Sequence, residues 1–193
     1  MQDYQRIFRL KTREGEIRVG HIAGSERVLF IKTGQGGSIY DPPGKYLSLS
    51  HDMSLLYGCT VFVSETLSDT PEDYGQDMRL VAEQMGDTPY EIYYMGVSKG
   101  GLIGCWYGAD NPKIKRIAAV NAPLMLNFHN KTLPALQRLS PKLTLYYGTR
   151  DPSYRYVGFA QRHAPVRLIE GGDHTLQDHL HVYREIAEAL LQE

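Results

Sequence analysis

The chain is short of the residues that specialised folds rely on. Only two of its 193 residues are cysteine, Cys59 and Cys105, too few for a disulfide framework and without zinc-ligand spacing. Either thiol is a nucleophile in principle, but each lies in an apolar run that suits an ordinary buried cysteine. Neither sign of charge dominates: 21 lysines and arginines face 22 aspartates and glutamates, a formal net charge of −1. No block of like charge offers an electrostatic footprint for nucleic acid or an anionic membrane surface. No apolar run reaches membrane-spanning length, and the start Met1-Gln-Asp-Tyr-Gln-Arg6 lacks the basic, then apolar, pattern of a secretory signal. These absences predict a soluble, cytoplasmic protein without membrane insertion, whose partner is a small molecule or a neutral polymer. No H-E-x-x-H or comparable ligand spacing exists, so no metal or cofactor is expected.

What is present is a regular alternation. A length of 193 residues suits one domain, residues 1–193, with one substantial core. Ile7-Phe-Arg-Leu10 and Ile17-Arg-Val19 flank the turn Arg13-Glu14-Gly15 and predict an antiparallel hairpin. Short apolar runs follow, beginning at Val28, Cys59, Ile92, Ile117, Leu143 and Val166, each bounded by glycine, proline or polar residues, as the buried strands of a parallel sheet are. Helical spacing lies between them. Tyr74, Met78, Val81, Ala82 and Met85 share one face, behind Pro71 and the acidic Glu72-Asp73 that suit a helix start. Leu176, Leu180, Tyr183, Ile186, Ala187 and Leu190 share another. The expected architecture is α/β, a mostly parallel central sheet of about eight strands with an N-terminal antiparallel hairpin and helices on both faces. Ligands of such sheets sit at the carboxyl ends of the strands.

One of those ends carries chemistry. The run Ile92-Tyr-Tyr-Met95 leads into Gly96-Val-Ser98-Lys-Gly100, a G-x-S-x-G pentapeptide, and Gly101-Leu-Ile-Gly-Cys-Trp-Tyr107 continues with helical apolar spacing. A serine on so sharp a strand-to-helix turn is strained, and Gly96 and Gly100 remove the side chains that would collide. The turn lifts the Ser98 hydroxyl above the sheet, and the backbone N–H of Lys99, opening the helix, is oriented toward a developing oxyanion. The bland alternative is a glycine-rich turn with an incidental serine; the strand and helix on either side favour the functional reading.

In this order of elements the chain resembles the α/β-hydrolase superfamily over nearly its whole length, and specifically its small, lidless serine esterases. That resemblance implies an acid and then a histidine on the loops after the next-to-last and last strands. The first loop, Gly148-Thr-Arg-Asp151-Pro, offers Asp151 as the acid, although an aspartate before proline also shapes turns. The second, Glu170-Gly-Gly-Asp-His174-Thr-Leu, offers His174 as the base, with Asp173 a minor alternative for the acid. His179 and His181 fall within the terminal helical pattern and read as surface or packing residues. The resemblance further implies a second oxyanion donor from Lys32-Thr-Gly-Gln-Gly-Gly-Ser38, assigned to the backbone N–H of Gln35. Thr33 departs from the histidine usual there, and the G-K-[ST] ending of a phosphate-binding loop is missing.

The expected activity is that of a serine hydrolase cleaving an ester, thioester or amide through a covalent acyl-enzyme. Two alternatives stay open: an acyltransferase or deacetylase acting on a carbohydrate-linked acyl group, and a non-catalytic interaction module on the same fold. Only residues 121–140 separate the sixth strand from the next, which predicts a minimal lid and an open site. Within them Leu124, Met125, Leu126 and Phe128 either line an acyl pocket or, the favoured reading, pack a short helix. Tyr146, Tyr147, Tyr154 and Tyr156 similarly offer a sugar-friendly rim or half-buried packing.

Overall fold

A computed structural model describes residues 2–41 and 44–192, so the two end residues of the expected domain lie outside it. Strands β1 (Arg6–Thr12) and β2 (Gly15–Ile22) form the antiparallel hairpin. They are followed by β3 (Ser25–Gln35), α1 (Lys45–Tyr57), β4 (Cys59–Thr66), α2 (Pro71–Met85), β5 (Glu91–Val97), α3 (Lys99–Gly108) and β6 (Ile114–Val120). The chain ends with α4 (Leu133–Leu139), β7 (Leu143–Gly148), the short α5 (Val157–Ala160), β8 (Val166–Ile169) and α6 (Leu180–Gln192). The eight strands make one sheet in the order β1-β2-β4-β3-β5-β6-β7-β8. β2 is antiparallel to both of its neighbours, and every pair from β4 onward across the sheet is parallel.

Each face of the sheet is covered. α2, α3 and α4 enclose one core, where Leu80, Leu102, Trp106 and Leu136 pack on Phe30, Tyr94 and Leu145. α1 and α6 enclose the other, where Tyr46, Met53, Tyr183 and Leu190 pack on Leu29, Ile31, Val61 and Val97. This burial on both sides is why the central strands read as continuous apolar runs instead of alternating ones. α2 starts as its sequence predicts: the Thr70 hydroxyl accepts the Asp73 N–H, Pro71 opens the first turn and Glu72 and Asp73 face the helix dipole. α6 starts four residues later than the pattern of apolar residues implies. Leu176 is fully buried but has φ 51°, and a single tight turn, Gln177–His179, precedes the helix.

A buried ion pair joins the sheet to α2. The Lys32 ammonium donates to Asp77 Oδ2 at 2.6 Å, Ser64 Oγ at 2.9 Å and the Glu65 carbonyl at 2.8 Å, while Ser64 donates to Asp77 Oδ1 at 2.7 Å. The network is complete, and it bolts α2 to the carboxyl ends of β3 and β4, just before the glycine-rich loop. Asp77→Ala is expected to strand the Lys32 charge and cost about 3–5 kcal/mol in denaturant unfolding, most of it recovered in Lys32→Met/Asp77→Leu. A loss of about 1 kcal/mol or less, the worth of an exposed pair, contradicts this role.

Candidate active site

The carboxyl ends of β3, β5, β6, β7 and β8 meet at Ser98. This residue has φ 51° and ψ −117°, a conformation that costs about 1–3 kcal/mol outside glycine and persists because the surroundings leave no other. The Ser98 N–H donates to the Val120 carbonyl on β6 at 2.7 Å, and its carbonyl accepts the first-turn N–H of Leu102 at 3.1 Å. The two glycines serve different contacts. A Cβ on Gly96 would stand 2.4 Å from the Gly100 carbonyl oxygen, and one on Gly100 would stand 2.3 Å from the Lys32 carbonyl oxygen of β3. The buried Tyr94 hydroxyl donates to the Gly100 carbonyl at 2.9 Å and fixes the turn from beneath.

The structure brings Ser98, His174 and Asp151 into one hydrogen-bonded row. His174 Nε2 lies 2.9 Å from Ser98 Oγ, and His174 Nδ1 is hydrogen-bonded to Asp151 Oδ2. The Asp151 side chain is fully buried, and its other oxygen accepts the Ser153 N–H at 2.6 Å. The His174 side chain is 47% exposed, open to solvent on the serine side. The Asp151 hydrogen bond holds the imidazole above its usual pKa of 6.5 against the opposing pull of burial, with the charges of Asp151 and Asp173 adding to the rise. Asp173 itself is turned away: its carboxylate accepts the N–H groups of Thr175 and Leu176, at 3.0 and 2.6 Å, and the Thr175 hydroxyl. It shapes the loop and leaves the histidine to Asp151.

The two loops are stitched together by a residue that sequence reasoning missed, Asn121. Asn121 follows β6 with φ 49° and is fully buried. Its side-chain oxygen accepts the Gly148 N–H at 2.9 Å, and its Nδ2 donates to the carbonyls of Asp173 and His174 at 2.9 and 3.1 Å. One amide thus fixes the end of β7, from which Asp151 hangs, to the backbone carrying His174. Gly148 completes the fit, since a Cβ there would lie 2.2 Å from the Gly172 carbonyl oxygen. The available signal was an asparagine directly after a buried strand, a residue type tolerant of positive φ, but its partners lie 27 to 53 positions along the chain.

Ser98 opens into a cleft of about 350 Å³ walled by Gly34–Gly37, Asp41, Lys45, Tyr46, Thr175 and Tyr183. Gly34 packs against the serine, where a Cβ would lie 3.4 Å from Ser98 Cβ. Gln35, expected on the loop after the third strand, is instead the last residue of β3, paired with Thr66 of β4; it lines the cleft, and its side chain donates to the Leu67 carbonyl at 2.6 Å. Lys99 opens α3, so its N–H is among those without an intrahelical acceptor, and its ammonium pairs with Asp69 at 3.2 Å. The loop after β3 is held by Glu65, whose carboxylate accepts from the Arg18 backbone and guanidinium and from the Ile39 N–H. Burial alone would raise the Glu65 carboxyl, but these donors outweigh it and hold it below its usual range.

No family model and no curated protein matches the sequence. Solved structures do. An α/β serine hydrolase homologue from Coxiella burnetii superposes with a TM-score of 0.72 at 16% identity, covering 97% of each chain. A lidless serine hydrolase from Xanthomonas campestris gives 0.68 at 14% identity over 100% of this chain and 95% of its own. An esterase domain from Rhodothermus marinus gives 0.73 at 14% identity over 98% and 96%. The chain has the α/β-hydrolase fold. As in the lidless form of this fold, the stretch between β6 and β7 adds only a short irregular turn, Phe128–Thr132, and α4, whose Ala135, Leu136 and Leu139 pack into the core.

The other expected residues divide between packing and exposure: Tyr154, like Met125 and Leu126, is exposed. Leu124 is buried in the core, Phe128 stacks edge-on against Phe159, and Met125 and Leu126 are exposed; none of the four is among the residues lining the serine cleft. Tyr146 and Tyr147 are buried, the latter donating to the Ala122 carbonyl at 2.9 Å. The tyrosines at the cleft are instead Tyr46 and Tyr183. Both cysteines are buried, and burial pushes the thiols of Cys59 and Cys105 up to about 11 and about 12, which keeps them protonated at neutral pH. No helix among the described residues is long and apolar enough to cross a membrane.

The bridge made by Asn121 is testable without any substrate. The proton between His174 and Asp151 is expected as a low-field NMR resonance, and Asn121→Gly, which keeps the positive φ but removes the amide, is expected to broaden it away while the protein stays folded. An unchanged resonance would show that the amide is dispensable.

Proposed function

We propose that the protein is a serine hydrolase that cleaves an ester through a covalent acyl-enzyme, with Ser98 as nucleophile, His174 as general base and Asp151 as the acid that orients it. The observation that carries this reading is the continuous row from Ser98 Oγ through His174 to the buried Asp151. Neutral His174 takes the Ser98 proton as Oγ attacks the carbonyl carbon, and Asp151 stabilises the imidazolium that forms. The tetrahedral oxyanion is held by the N–H groups of Lys99 and Gln35, at the mouth of α3 and at the last residue of β3. His174 then protonates the leaving alcohol, and water, activated by the same ring, releases the acid. No cofactor or metal is assigned to this cycle, and the reacting groups lie in a cleft without a covering domain, which suits a short acyl ester or an acyl group on a bulky carrier such as a glycan.

Acyl transfer to a hydroxyl acceptor uses the same residues, and the open cleft favours water as the acceptor. The cytoplasm, where neither thiol would be oxidised, is the proposed compartment.

Short-chain p-nitrophenyl esters test the reading. Ser98→Ala is expected to lower kcat by about 10⁴-fold or more with little change in unfolding midpoint; equal turnover by the variant would remove Ser98 from the mechanism. The pH profile tests the base. Because Asp151 raises the His174 pKa, and only the neutral ring accepts the serine proton, kcat/KM is expected to fall with decreasing pH at a value above 6.5. Asp151→Asn is expected to move that acid limb downward as well as slow the reaction, whereas an unmoved limb would assign it to another group.

A further inference from the structure

Lys45 stands where its charge is least welcome. It is the first residue of α1, at the positive end of the helix dipole, and no acidic residue in the first turn compensates it. Its side chain is only 11% exposed. The ammonium sits over the rings of Tyr46 and Tyr183, 4.8 and 4.9 Å from their centroids. Among the described residues its one carboxylate neighbour at ion-pair range is Asp41 Oδ2 at 3.6 Å, too long for a good hydrogen bond, and that side chain is 27% exposed. Burial lowers the Lys45 pKa from its usual value, and the carboxylates of Asp41 and, less strongly, Asp173 offset only part of the fall.

A second donor waits beside it. Tyr46 is 1% exposed, and its hydroxyl is buried without a hydrogen-bond partner, a condition that costs about 1–3 kcal/mol. Lys45, Tyr46 and Asp41 all line the cleft that contains Ser98 and His174. The Lys45 charge is only loosely paired, through Asp41 and the two rings, and the Tyr46 hydroxyl is left unpaired; such conflicts concentrate where a ligand completes the set.

We propose that Lys45, the N-terminus of α1 and the Tyr46 hydroxyl form a subsite of the Ser98 cleft for a carboxylate carried by the ester substrate, with Asp41 standing in the anion's place in the free protein. The inference rests on Ser98 being the nucleophile. The ammonium and the hydroxyl both donate, and the helix start is positive, so the matching group is one that only accepts and carries negative charge. The loose pair with Asp41 already shows a carboxylate in that position. A neutral hydroxylated group would instead need Asp41 as an acceptor.

The mono-p-nitrophenyl ester of adipic acid, whose chain is too long for the carboxylate to attack its own ester readily, and its neutral twin, the mixed p-nitrophenyl methyl diester, differ by one charge and separate these readings. The anion is expected to be preferred in kcat/KM by about tenfold or more, the worth of one charge-assisted hydrogen bond. That ratio should collapse toward one in Lys45→Met, persist in Lys45→Arg and rise in Asp41→Asn, which removes the competing carboxylate. Equal rates for the two esters in the wild type overturn the proposal while leaving Ser98 as nucleophile, and a ratio that falls in Asp41→Asn overturns it in favour of a neutral hydroxylated ligand. If neither ester is turned over, calorimetric binding of monomethyl adipate to the wild-type protein decides: binding that is lost in Lys45→Met supports the subsite independently of catalysis, and no binding overturns it.

Discussion

The site depends on one close approach. α3 can begin directly against β3 and β5 only because Gly96 and Gly100 have no Cβ; methyl groups at either would press within 2.4 Å of backbone oxygen. That contact forces Ser98 into its positive-φ turn, sets its hydroxyl above the sheet and puts the free N–H groups of the α3 start beside it. The strain at one residue is small compared with the apolar area that α3 buries against the sheet through Leu102, Cys105 and Trp106. Packing therefore maintains the geometry that the chemistry uses.

Around that fixed point the other groups are held by separate devices. Lys32, Asp77 and Ser64 lock the strand ends beneath the glycine-rich loop, and Glu65 with Arg18 holds the loop itself. Asn121 ties the acid loop to the histidine loop. Each is a buried polar group with its partners in place, the condition under which such networks specify one geometry. Lys45, only loosely paired, and Tyr46, whose hydroxyl is unpaired, depart from this and line the cleft.

Strands and site residues were legible for a physical reason: a doubly covered parallel sheet writes its strands as short apolar runs, and a serine elbow needs glycines at fixed offsets. Ser98 was singled out by its flanking glycines, and Asp151 and His174 by the strand ends at which the family resemblance looks for an acid and a histidine; the fold brings the three into one hydrogen-bonded row. α1 was not legible, because Tyr46, Leu47, Leu49 and Met53 face inward while Leu55 and Leu56 stay exposed, leaving no clean helical stripe. The start of α6 was misplaced because the apolar Leu176 is buried from a loop with positive φ. Asn121 was invisible because its role is defined by residues on two other loops, brought near only by the completed sheet. For the same reason the tyrosines nearest Asp151 in sequence drew notice ahead of Tyr46 and Tyr183, which the fold places at the cleft.

Covalent capture distinguishes a strained serine made nucleophilic by its neighbours from an inert one. Wild type and Ser98→Ala would be treated with a fluorophosphonate and the intact masses compared, followed by mapping of the modified peptide. The account predicts one adduct on the wild type, located at Ser98, and none on the variant. Labelling of both proteins, or of neither, would contradict it.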